Sequence, residues 1–135
     1  STAVYSRTRF GALQAGDATQ ADELAAYYVE HLLDAVAHYR EVARAKVGRD
    51  IDHVLLVHAN QLAADHLGEV LDRLAADGFE FITLSEALAD PVYGRTDEYV
   101  GPGGISWLYR IAPVDDEWPW DTASRAALEE RFGGG

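Results

Sequence analysis

The chain contains no cysteine. That removes disulfides, thiolate nucleophiles and Cys-ligated zinc from consideration, and it leaves the compartment open. Basic residues are scarce, with 11 Lys and Arg against 23 Asp and Glu and a net charge of −12. A protein that grips phosphate backbones needs a basic footprint, so nucleic acid is not expected as a partner. The acids are scattered rather than blocked and read as a solvated surface. No apolar run approaches the roughly eighteen residues of a membrane span, and no membrane contact is expected. The start has neither the basic n-region nor the apolar h-region of a signal peptide. It opens Ser1-Thr2-Ala3-Val4-Tyr5 without a methionine, as if inside an element, which predicts a processed or truncated chain. There is no G-x-S-x-G, P-loop, strand-following G-x-G-x-x-G or H-E-x-x-H.

What is present is a globular composition. Hydrophobic residues make up 48% and aromatics 10% of 135 residues, enough for one domain with a core. Residues 2–15 read as a helix. Asp17 or Thr19 can cap a longer one from Ala21 to Val47, whose stripe runs Leu24, Tyr28, Leu32, Ala35, Tyr39, Val42. His31 lies on this face and His38 beside it. They are two turns apart and unsuited to sharing a metal. Gly48 stops the helix.

The run Val54-Leu55-Leu56-Val57, bounded by polar residues, reads as a buried strand. Gln61 to Asp77 is a second amphipathic helix, closed by Gly78. Phe79 to Thr83 reads as a second strand, and Ser85 to Leu88 as a short helix that Pro91 keeps from extending. Two strands around one helix make a βαβ unit, with a parallel pair and right-handed crossover expected. The predicted class is therefore α/β. Two strands are too few for such a sheet, so completion by further chain is expected.

Beyond Val92 the texture is irregular. Gly101-Pro102-Gly103-Gly104 reads as a turn, and Ile105 to Arg110 as an aromatic plug or, less simply, a stacking platform. The charge run Asp115-Asp116-Glu117 reads as solvated. Thr122 to Phe132 can form a last helix before a glycine tail. The chemical candidate is His58, at the polar end of the first predicted strand, where ligands bind in α/β folds. Histidine suits proton transfer near neutral pH. A structural His58 and a helix-capping Asn60 are the plainer alternatives.

The motifs Leu55-Leu56-Val57-His58-Ala59-Asn60, Gly78-Phe79-Glu80-Phe81-Ile82-Thr83-Leu84-Ser85-Glu86-Ala87-Leu88-Ala89-Asp90-Pro91-Val92-Tyr93 and Tyr99-Val100-Gly101-Pro102-Gly103-Gly104-Ile105-Ser106-Trp107-Leu108 resemble the C-terminal part of the polysaccharide deacetylases, carbohydrate esterase family 4. The resemblance implies part of a distorted (β/α) barrel over 1–135: a helical lead-in at 1–47, a βαβ unit at 48–90, an irregular segment at 91–121 and a terminal helix with glycine tail at 122–135. It implies metal-dependent hydrolysis of N- or O-acetyl groups on carbohydrates, with zinc as the expected divalent cation and an extracytoplasmic setting.

By the same resemblance His58 is the general acid that protonates the leaving amine. Leu56 lines the acetyl-methyl pocket, and Asn60 stands beside the substrate. The family's metal-binding Asp and H-x-x-x-H, and its Asp-Asp base motif, have no counterpart in these residues, so no metal ligand is assigned here. An N-terminal half or a homo-oligomer partner is expected to supply them. The alternative is a non-catalytic α/β binding or assembly module with Trp107 to Tyr109 as its contact surface. Residues 1–135 alone are expected to show no turnover of acetylated chito-oligosaccharides with zinc, and release of acetate by the purified chain overturns this.

Overall fold

The computed structural model describes residues 14, 16–101, 106–111 and 130. They fall into two compact units, the first drawing on Ser1–Asp34, Leu56–Glu80 and Asp121–Gly135, the second on Ala35–Leu55 and Phe81–Trp120. The elements are α1 (Ala18–Val47), α2 (Gln61–Ala76), α3 (Leu84–Ala87), a 3-10 turn at Pro91–Gly94 and α4 (Trp107–Arg110). The helices predicted at 2–15 and 122–132 lie almost wholly outside the described residues, as do most of the glycine turn and the acidic Trp118 region.

The expected α/β class is not what forms. Among the described residues there is no β-strand, hence no βαβ unit and no barrel segment. Residues 54–57 and 79–83 run as irregular chain between helices. The physical reason is that apolar content signals a wish for burial, whereas a strand exists only when another segment pairs with its N–H and C=O groups. No such neighbour is found among the described residues. Val54, Leu55, Leu56, Phe81 and Ile82 are all exposed, Leu56 by 89%.

The helices obey local rules. The Asp17 carboxylate accepts from the Gln20 N–H at 2.9 Å and starts α1. Gly48, at φ +80°, ends it, its N–H donating to the Arg44 carbonyl. In the first unit α1 buries Ala21, Leu24, Ala25, Tyr28, Val29 and Leu32, and α2 buries Leu62, Ala63, Val70 and Leu74. An Arg73–Glu30 ion pair links these two helices. The Arg73 guanidinium holds the Glu30 carboxyl below its ordinary range.

Helix α2 ends in a paired motif. Gly78, at φ +89°, donates to the Ala75 carbonyl and Phe79 to the Leu74 carbonyl, both at 3.0 Å. These two bonds satisfy carbonyls the last turn would otherwise leave open. Helix α3 starts on a reciprocal cap, with Thr83 N–H donating to Glu86 at 2.8 Å and Glu86 N–H donating to the Thr83 hydroxyl at 3.3 Å.

The second unit is built on the last turns of α1. Val42 and Ala43 form a core with Val92, Leu108, Tyr109 and Ile111, against which Tyr39, Val47, Ile51, Tyr93 and Trp107 pack. The aromatic segment is a plug, but against helix rather than sheet. Trp107 Nε1 donates to the Val92 carbonyl at 2.8 Å, and the Tyr109 hydroxyl and His38 Nε2 share a 2.9 Å hydrogen bond. Outside this core, Arg110 Nε donates to Asp97 at 2.9 Å.

The polar centre of this unit is Asp90, only 8% exposed. Its carboxylate accepts two hydrogen bonds from Arg49, one from the Asp52 N–H at 3.1 Å and one from the Val92 N–H at 2.8 Å. The Arg49 guanidinium holds the Asp90 carboxyl far below the usual carboxylate range, against the opposing effect of burial. Its contribution to stability is therefore present above the unfolded carboxyl value of 3.8 and is lost as pH falls below it. Replacing Asp90 by Ala leaves two backbone N–H donors and a guanidinium without their acceptor. Urea unfolding of D90A is expected to show a loss of about 2–3 kcal/mol, and an unchanged midpoint counts against the hub.

Candidate functional site

The three residues singled out from the sequence sit where irregular chain turns into α2, within the first unit. Asn60 is the N-cap. Its backbone is extended at φ −142°, ψ 172°, and its side-chain oxygen accepts from the Ala63 N–H at 3.0 Å. That geometry meets one of the N–H groups that a helix start leaves without a partner. The capping alternative read from the sequence is thus a geometric fact.

His58 lies two residues before the cap and is exposed. Among the described residues no hydrogen bond or ion pair engages it. Its ring borders an open depression of about 480 Å³ lined also by Val57, Ala59, Asn60, Ala63 and Leu67. The lining is mostly apolar because α2 turns Ala63 and Leu67 toward it within two turns of its start. Leu67 was legible only as part of the helix's apolar stripe. Its half-buried state is what turns part of that stripe into a recess wall.

Leu56, expected to wall an acetyl pocket, is not part of this lining and faces solvent. The structure thus brings His58 and Asn60 together on one rim and leaves Leu56 outside it. His66, one helical turn after Leu62 on α2, has its Nε2 buried without a hydrogen-bond partner among the described residues and does not join His58 in the lining.

Among the described residues no group of three or more His, Asp or Glu side chains is placed to hold a metal ion. These residues do not fit the divalent cation that the sequence resemblance implies, and no step is derived through one. What the rim offers is a solvent-reachable imidazole beside an apolar recess, able to hold or deliver a proton at a bound small group. No family model, no curated protein and no solved structure matches the chain.

The cap itself can be tested apart from any chemistry. N60A is expected to lower stability by about 1 kcal/mol, and N60D to retain most of it, because aspartate caps as well as asparagine. Equal urea midpoints for N60A and the parent chain contradict the cap.

Proposed function

We propose that this chain is the histidine-bearing part of a metal-dependent hydrolase that removes acetyl groups from nitrogen, or oxygen, on a carbohydrate, in the manner of the polysaccharide deacetylases. The observation that supports it best is the setting of His58: exposed, directly before a capped helix, and on the rim of an apolar recess. A general acid must reach the substrate's leaving atom, and the open apolar recess beside it has room for an acetyl group. In amide cleavage the carbon–nitrogen bond breaks while the nitrogen takes up a proton, and the imidazolium of His58 supplies that proton. The amide N–H₂ of Asn60, whose oxygen is taken by the cap, donates to a sugar hydroxyl or to the acetyl oxygen.

The remaining parts come from elsewhere in this reading. A polypeptide portion with an Asp-Asp motif and H-x-x-x-H, from an N-terminal half or a homo-oligomer partner, furnishes the base and holds the divalent cation, zinc by the resemblance. The exposure of Leu55, Leu56, Phe81 and Ile82 supports this, because a chain finished on its own buries such side chains. The same exposure favours a second reading, a non-catalytic binding or assembly module. Its sequence-based contact surface, Trp107 to Tyr109, does not serve, since Leu108 and Tyr109 are buried and the Trp107 indole is bonded within the second unit.

The experiment is His58→Ala in the protein that carries both portions. Turnover of acetylated chito-oligosaccharides is expected to fall about 10²–10³-fold, the range of a lost general acid, with bound metal unchanged by elemental analysis. Undiminished turnover removes His58 from the reaction, and absence of deacetylation in the parent protein favours the assembly module.

A further inference from the structure

We propose that His53 is an acid-operated latch: with a neutral ring it holds the segment Asp52–Leu55 against the rest of the second unit, and protonation of the ring releases that segment. The geometry is specific. His53 is half-buried, and its Nε2 is fully enclosed without a hydrogen-bond partner among the described residues. A neutral imidazole tolerates this, because the enclosed nitrogen can be the bare one of the two. An imidazolium cannot, since it places a charge and a second N–H donor where no acceptor stands.

The charged groups around the ring come from each neighbouring element. Arg40 lies on α1, Asp50 and Asp52 on the histidine's own segment, and Asp90 just before the 3-10 turn. Arg40 opposes protonation, while the three carboxylates favour it. Burial outweighs them and holds the imidazole below its ordinary value. Asp90 is already bound by Arg49 and Asp50 by Arg44 and Arg40, whereas the Asp52 side chain is exposed. A protonated ring therefore gains water and the open Asp52 carboxylate by swinging out. That gives two discrete positions, ring in and neutral or ring out and charged, the bistability a pH switch needs.

What swinging out would break is also defined. The segment is clamped at Asp52, whose N–H donates to Asp90 and whose carbonyl accepts from the Tyr93 hydroxyl at 2.7 Å. A folded-state value depressed below the unfolded 6.5 means that the unfolded or released chain binds the extra proton. The clamp is therefore fully present above about pH 6.5 and weakens as pH falls below it. The Asp90 carboxyl stays ionised throughout that window, so its bond to the Val92 N–H persists. Acid release is thus local and separable from global unfolding.

The test is amide hydrogen exchange by NMR on the whole chain between pH 7 and pH 4.5, read as protection factors corrected for intrinsic rates. The expected result is reversible loss of protection at Asp52 with retention at Val92, following the titration of the His53 ring signals. H53Q is expected to abolish the pH dependence at Asp52, and H66Q, which removes the other enclosed Nε2, to leave it intact. Should H53Q not fold, the parallel course of the His53 ring and Asp52 amide titrations in the parent chain carries the same decision. Constant Asp52 protection down to pH 4.5, simultaneous loss at Asp52 and Val92, or a pH dependence that survives in H53Q overturns the latch.

Discussion

The second unit depends on a carboxylate with four donors around it. Asp90 is nearly buried and would be costly there alone. It is tolerable because Arg49 approaches with two N–H groups and the backbone of Asp52 and Val92 supplies two more. The cluster joins the chain just after α1 to the chain just before the 3-10 turn, across forty-one residues. Val92, one of its donors, is also a core residue beside Val42 and Leu108. Its carbonyl takes the Trp107 indole N–H, so α4 docks onto a backbone that Asp90 has already oriented. Polar satisfaction and apolar packing therefore meet at adjacent atoms of one residue.

How far the sequence foretold this depends on range. The ends of the helices were legible because their determinants lie within four residues. Asp17, Gly48, Gly78 and Pro91 each act on their own turn of chain, and the stripe of α1 follows from its spacing. The reading missed Ala25 and Val29, which are buried too, because the covered stripe is wider than the alternation suggested. The predicted strands failed for the opposite reason. Val54–Val57 and Phe79–Thr83 have strand-like composition, but pairing requires a partner segment, and composition does not name one. Asp90 was equally hidden. Within Ala89-Asp90-Pro91 it reads as a turn residue, and nothing local points to an arginine so far upstream.

The candidate site divides along the same line. Asn60 could be read as a cap because the cap is a contact three residues long. The recess beside His58 could not, since it needs the pitch of α2 to turn Ala63 and Leu67 toward the histidine. The exposure of Leu56 was unforeseeable from a pattern that marks leucine for burial. The cap is a local contact, whereas the recess and the exposure of Leu56 depend on what other parts of the fold provide.

The stretch between Asp52 and Asn60 is anchored at one end by Asp90 and at the other by the α2 cap. In between, Val54, Leu55 and Leu56 are exposed in succession. His53 and His58 bracket this run with opposite surroundings, the first with an enclosed ring nitrogen and the second open beside a recess. Acid acting on His53 therefore alters how the run is held at its start, while His58 stays with the helix cap at its end. The proposed hold at His53 and the proposed proton delivery at His58 thus fall on different histidines, so a change in one need not disable the other.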